Sequence, residues 1–136
     1  MNIGIISDTH DDLLSLKSAI RIFNERKVKY VIHAGDYVFP GVVKEFKHLN
    51  AKLIGVLGNN DGEKLGLSKN FQEIGGELHG DFCDLELDNL KIAIYHGTSN
   101  EMTEAIISNQ LYPLVIHGHT HKKRDDKIRD VLVLNP

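Results

Sequence analysis

What most constrains the fold is a series of short apolar stretches separated by an amphipathic one. "IGIIS" (Ile3 to Ser7), "YVIHAG" (Tyr30 to Gly35) and "AKLIGVLG" (Ala51 to Gly58) each read as a buried strand. Between the first two, "DDLLSLKSAIRIFNER" sets Leu13, Leu16, Ile20 and Phe23 at helical spacing. Asp11 or Asp12 stands where it can cap that helix and favour its positive end. Pro40 starts a second helix, carrying Val42, Val43 and Phe46. The order βαβαβ is that of a parallel sheet.

Further along, the character changes. "CDLELDNLKIAIYHG" reads as a β-hairpin with its turn near Asp88-Asn89. A helix is expected at about Glu101 to Gln110, then the strand "PLVIHG", then a last strand at Val131 to Leu134. An α/β half followed by a strand-rich half suggests two sheets packed face to face with helices outside. The 136 residues suit a single domain with one core.

Composition removes several function classes. A formal charge of -3 gives no electrostatic footprint for nucleic acid. The one basic cluster, Lys122-Lys123-Arg124, runs straight into Asp125-Asp126 and reads as a solvated turn. No apolar stretch approaches the roughly 20 residues needed to cross a bilayer. The N-terminus lacks the basic start of a signal peptide. A single cysteine excludes an internal disulfide, so a cytoplasmic location is expected. Cys83 shares its alternating face with Leu85 and Leu87 and reads as a small core residue.

The chemistry lies at the end of each apolar run. After Ile3–Ile6 come Asp8 and His10; after Val31–Ile32, Gly35 and Asp36; after Leu53–Leu57, Gly58, Asn59 and Asp61. Ile92–Tyr95 is followed by His96 and Gly97, and Val115–Ile116 by Gly118, His119 and His121. The crevice outside the carboxyl ends of strands is where open α/β sheets build their sites. Grouped carboxylates repel one another and are costly to desolvate unpaired. This chain supplies no Lys or Arg at those strand ends, so a cation is the simple neutraliser. Asp8, His10, Asp36, Asn59, His96, His119 and His121 make seven donors. That exceeds one tetrahedral zinc and suits two ions of higher coordination sharing a carboxylate. Two cations roughly 3.5–4 Å apart can bind both the attacking and the leaving oxygens of a phosphoryl displacement, and can lower the pKa of a shared water towards about 7.

"DTH", "AGD", "GNND", "YHG" and "GHTH" stand in the order and approximate spacing of the calcineurin-like metallophosphoesterases, and the chain resembles the small phosphodiesterase branch of archaea and bacteria. The resemblance implies an α/β fold, a two-sheet sandwich flanked by helices in four layers (αββα). It implies a dinuclear site in which Asp8, His10 and His121 hold the first metal, Asn59, His96 and His119 the second, and Asp36 bridges them. It further implies attack of a metal-bridging hydroxide on a small phosphodiester. Mn²⁺ is favoured by the resemblance alone; the mixed donor set also suits Fe²⁺, Zn²⁺ or Ni²⁺. His117 and His33 fall outside the pattern and read as structural, His48 and His79 as surface residues.

Two departures stand out. Many relatives have a histidine in the third motif where this chain has Asn60, and that histidine supports departure of the leaving group. An amide donates a hydrogen bond but supplies no proton. General acid help is worth ~10²–10⁴-fold, so dependence on good leaving groups is expected, with aryl phosphodiesters as test substrates and Asn60→His as the probe. The smaller branch often lacks this histidine, so its absence reads as a class feature. Asn60 and Asp61 are thus the catalytic candidates of the third motif, Asp61 more as support. The second departure is the ending. Relatives continue past "NP", whereas this chain stops at Pro136. Either the sequence is a shortened form lacking the last strands, or a sheet edge is left unpaired and invites homo-oligomerisation.

Two rival readings remain. A non-catalytic scaffold on the same fold, as in the retromer complex, has an incomplete ligand set, whereas this one is complete. A flavodoxin-like regulatory domain could use Asp8 and Asp36 with one Mg²⁺, but leaves four histidines unexplained.

Overall fold

The computed structural model describes residues 1–136. The three N-terminal runs form β1 (Ile3–Ile6), β2 (Tyr30–His33) and β3 (Lys52–Gly55), paired in parallel in that order. A two-residue strand, β4 (Glu77–Leu78), lies beside β3. The second sheet contains β5 (Phe82–Leu87), β6 (Leu90–Tyr95), β7 (Leu114–Ile116), β8 (Arg124–Ile128) and β9 (Val131–Asn135), in spatial order β5-β6-β7-β9-β8. Its inner three strands, β6, β7 and β9, run parallel. The helices are α1 (Leu13–Glu25), a 3-10 helix at Pro40–His48, α2 (Lys64–Glu73) and α3 (Asn100–Ser108).

Strand alternation sorts the side chains into layers. Val31 and Leu53 face outward to Leu16, Ile20, Phe46, Leu67 and Phe71 of the helices. Their neighbours Ile32 and Ile54 turn inward and meet Ile92, Ile94, Leu114 and Ile116 of the other sheet. Ala93, Val115 and Val133 face the far side, under Ile107 of α3. The predicted helix–sheet–sheet–helix arrangement is the direct result. Each fully buried Leu or Ile in these layers is worth roughly 1.5–3 kcal/mol relative to exposure.

Several expectations change. The helix after Pro40 is 3-10 throughout; Gly41 and the β-branched Val42 and Val43 disfavour α geometry there. Helix α2 was not predicted, because its burial rests on Leu67, Asn70 and Phe71 while Leu65 is 89 % exposed, so no clean apolar stripe shows. Leu13 is exposed, and the inward stripe of α1 starts at Leu16. Asp12, not Asp11, caps α1 by accepting from Ser15 N. Of the solvated turn expected at Lys122-Lys123-Arg124, Lys122 and Lys123 are exposed and outside any strand, whereas Arg124 opens β8 (Arg124 to Ile128), an edge strand bonded only to β9. Its charges suit an edge, where they oppose pairing with another chain. Strand β9 is paired on both sides, so no unpaired edge is left at Leu134.

The parallel runs of both sheets point their carboxyl ends to one side. The loops after β1, β2, β3, β6 and β7 meet there, continuing the strand pairing as loop hydrogen bonds. Asp8 N donates to Gly35 O, His10 N to Asp36 O, and Gly118 N to His96 O, at 3.0, 3.0 and 2.8 Å.

Candidate metal centre

The backbone at this junction is unusual. Eleven non-glycine residues have positive φ, and five of them are Asp8 (51°), His10 (47°), Asp36 (62°), His119 (71°) and His121 (54°). Each such residue costs of order 1–3 kcal/mol and persists only where its surroundings over-determine it. Strain gathered on five of seven expected donors marks the junction as a built site. Two glycines are sterically required: a Cβ at Gly58 would overlap Asp36 Oδ1, and one at Gly118 would overlap Ser7 Oγ and Asp8 Oδ2.

Two groups of three donors have ligand atoms within 4.8 Å of one another: Asp8, His10 and His121, and Asp8, Asp36 and His96. Asp8 Oδ1 lies 3.3 Å from His121 Nε2 and 3.7 Å from His96 Nε2. Asp36 Oδ2 lies 3.4 Å from His96 Nε2 and 3.6 Å from His10 Nε2. Asp8 is therefore common to both groups, and Asp36 reaches an imidazole of each. Asn59 and His119 stand together at the margin, with His119 Nδ1 2.9 Å from Asn59 Oδ1 and the His119 ring edge-on to His96 at 5.3 Å.

Tautomers give the geometry its meaning. His96 Nδ1 donates to Ala34 O at 2.7 Å, which leaves Nε2 of the neutral ring as a lone pair. That lone pair faces two carboxylate oxygens. Asp8 Oδ1, His10 Nε2 and His96 Nε2 are all buried without a hydrogen-bond partner. Acceptors facing acceptors repel, and a divalent cation among them removes the conflict. The donor chemistry and the orphaned atoms thus fit a metal.

Around the donors sits a supporting layer. Ser7 Oγ and His119 N both donate to Asp8 Oδ2, leaving Oδ1 free to face the cluster. Asn60 donates to Asp36 twice, from its backbone N to Oδ1 and its amide to Oδ2, each at 2.9 Å. Burial disfavours the Asp36 carboxylate, yet the carboxyl is held below its ordinary range, chiefly by the backbone and amide hydrogen bonds it accepts from Asn60. Asp61 is 2 % exposed, and its two oxygens accept from Asp36 N, Gly58 N and Val38 N. Its bonding capacity goes to three backbone groups of the loops carrying Asp36 and Asn59.

Sequence reasoning missed two supports. Asn135 at the end of β9 is buried and donates to Gly118 O and Thr120 Oγ1, tying down the loop of His119 and His121. The signal existed, since Asn135 is a sixth polar residue closing an apolar run. Thr9 was the other; its hydroxyl bonds His33 Nε2 at 2.9 Å while His33 Nδ1 accepts from Gly35 N. His33 is thus fully satisfied, and burial, with His96 adding and Asp36 opposing, pushes its pKa down to about 3. His117 is also buried, with Nδ1 donating to Gly118 O. His48 is exposed as expected, whereas His79 is half-buried, near Glu77. Cys83 is buried between the sheets, and burial, helped by Glu77 and Asp84, raises its thiol to about 11.

Comparison with known proteins accords with this geometry. A model of the calcineurin-like phosphoesterase superfamily domain matches residues 1–136. A phosphodiesterase of Methanocaldococcus jannaschii is 47% identical, the match covering 100% of this chain and 82% of that protein. A probable metallophosphoesterase of the same organism is 36% identical, over 100% of this chain and 67% of its own length. Among solved structures, a novel archaeal phosphodiesterase superimposes with a TM-score of 0.95 at 47% identity, covering 100% of this chain and 83% of that one. Yfce, a phosphoesterase from E. coli, has a TM-score of 0.74 at 17% identity, over 99% and 78% of the two chains, a likeness of fold alone.

Proposed function

The chain belongs to the calcineurin-like phosphoesterase superfamily and is an enzyme of that class, and from this premise we propose that it hydrolyses phosphodiesters with two divalent cations held by Asp8, His10, Asp36, Asn59, His96, His119 and His121. The observation that carries the metal is the set of orphaned donors, Asp8 Oδ1, His10 Nε2 and His96 Nε2, facing one another in a buried cluster. The 47% identical phosphodiesterase supports the diester substrate. Mn²⁺ is the favoured ion, with Fe²⁺, Zn²⁺ and Ni²⁺ compatible with the same donors. Bound there, divalent cations neutralise the carboxylates, polarise phosphoryl oxygens and acidify a water towards a pKa of about 7.

The protein's own part is positional. The Ala34 carbonyl fixes the His96 tautomer; Ser7 and the His119 backbone orient Asp8. Asn60 holds Asp36 as a carboxylate, so its candidate role runs through Asp36 as well as through a leaving-group hydrogen bond. Asp61 acts by fixing the backbone under Asp36 rather than by moving a proton. Residues 1–136 act as one domain. The cytoplasm suits a chain whose lone cysteine is a buried free thiol and in which no helix is long and apolar enough to cross a membrane. A scaffold role leaves the facing lone pairs without a purpose.

The test is a screen of Mn²⁺-loaded protein against phosphomonoesters, aryl phosphodiesters and cyclic nucleotides, with ion content measured on the same samples. Diester turnover with about two ions per chain is expected. Residual activity of Asp36→Ala above about 1% of wild type, against the several orders of magnitude a metal site supplies, sinks the assignment of Asp36.

A further inference from the structure

We propose that the two ester arms of the substrate occupy two separate cavities flanking the metal centre, so that the enzyme selects phosphodiesters that are bulky on both sides. The inference rests on the phosphodiesterase reading and adds the shape of the substrate to it. One cavity, of about 410 Å³, counts Asn59 and His96 among its walls; the other, of about 420 Å³, counts Asp8, His10 and His121. The five donors so divided are those assigned to opposite halves of the centre. Two larger cavities, near Lys27 and Arg21, share no residue with the cluster.

Both flanking cavities have the size of small-molecule sites, which run from about 300 to 1,000 Å³. A phosphomonoester has one arm and leaves one of them empty; a diester bulky on both arms fills both. The first cavity offers an apolar wall of Leu57, Tyr95 and Met102. The Tyr95 hydroxyl is already engaged, accepting from Ser99 N and directed at Met102 Sδ, so this wall presents apolar surface rather than a free polar group. Met102 is 53 % exposed, so its side chain is accessible to a group bound in this cavity. A flexible thioether there suits an aromatic or nucleobase-sized ring. The second cavity has Ile6, Leu16 and Ala19 as its apolar surface, with Thr9 and Ser15 as polar neighbours.

The test uses two substrates with one leaving group, bis(p-nitrophenyl) phosphate and methyl p-nitrophenyl phosphate, on the Mn²⁺-loaded full chain. Met102→Ala removes wall from the first cavity, with Met102→Leu as the conservative control, and Ala19→Met fills the second. Melting temperatures confirm that each variant folds. In the wild type, kcat/KM is expected to favour the bis-aryl diester at least tenfold beyond the ratio of the two diesters' uncatalysed hydroxide rates, which already contains the electron withdrawal of the second nitrophenyl group. One of the two cavity variants should lower kcat/KM for both substrates alike, because it touches the departing arm. The other should lower the bis-aryl diester three- to tenfold more than the methyl one, because it touches the retained arm, and Met102→Leu should restore most of what Met102→Ala loses. Variants that leave both substrates within twofold of wild type, or a single cavity governing both arms, overturn the two-cavity assignment while the phosphodiesterase reading stands. A wild type that hydrolyses neither diester overturns both.

Discussion

Asp61 illustrates how a side chain governs the centre without entering it. Its carboxylate ties Asp36 N, Gly58 N and Val38 N into one knot at 2.7–2.8 Å. Bonds from backbone N–H to a charged acceptor are worth about 1.5–3 kcal/mol each, and an asparagine replacing it must turn an amide donor toward at least one of those N–H groups. Asp61→Asn should therefore lower folding stability by about 2–3 kcal/mol in urea titrations and weaken metal uptake along with it. A variant as stable as wild type rules this knot out as a support of the Asp36 loop. Asn60 belongs to the same story. Its place in the third motif suggests a leaving-group donor, and only the folded chain shows its amide turned back onto Asp36. The reason is contextual: the 24 residues separating the pair hide the contact from any local pattern.

At the level of elements, the site is made of loops whose freedom has been removed. The segment His117 to His121 is held by Gly118 N on His96 O, by His119 N on Asp8, and by the Asn135 amide at the end of β9. Gly118 sits where the loop touches Ser7 and Asp8, with no room for a methyl group. Gly118→Ala must push Asp8 or the whole loop aside, and a 1 Å displacement of a catalytic group costs on the order of 10²-fold. A hundredfold or greater fall in kcat/KM with an unaltered far-UV circular dichroism spectrum is expected; full activity would contradict the close approach. The elements themselves were unevenly legible. The parallel strands β1, β2, β3, β6, β7 and β9 carried strong apolar runs. Three elements were missed: the two-residue β4 is too short to show a period, and α2 and β8 expose most of their residues, which dilutes the hydrophobic signal that marks an element.

For the whole molecule, the proposed ion binding and the buried His33 each tie stability to solution conditions. A ligand that binds only the folded state stabilises it by RT ln(1 + [L]/Kd), about 2.7 kcal/mol per site at a hundredfold excess over Kd. Chelator-treated protein should gain several degrees in melting temperature on adding Mn²⁺, and Asp36→Ala should lose most of that gain. A metal response equal in both proteins places the ions elsewhere. His33 gives the pH dependence. Buried neutral in the fold with a pKa of about 3, against 6.5 in the unfolded chain, it takes up its proton only on unfolding between those values. The unfolded state then binds more protons, so stability falls as pH drops below 6.5 towards 3, with a slope of up to about 1.36 kcal/mol per pH unit from this one group. In His33→Gln, the loss of urea midpoint between pH 6.5 and 5 should be shallower than in wild type. An unchanged slope assigns the acid sensitivity to other groups.

The layers and the candidate donors were legible in the chain, because both are written in local order. Period-two and helical spacing decide which faces are buried, and a polar residue closing an apolar strand must emerge at that strand's end. Which donors stand within reach of one another is another matter. That Asp8 is shared by both donor groups, that the Ala34 carbonyl turns the His96 lone pair inward, and that two cavities flank the cluster depend on contacts between residues far apart in the chain. Distances of that kind arise only when the two sheets pack. Tertiary structure alone could decide them.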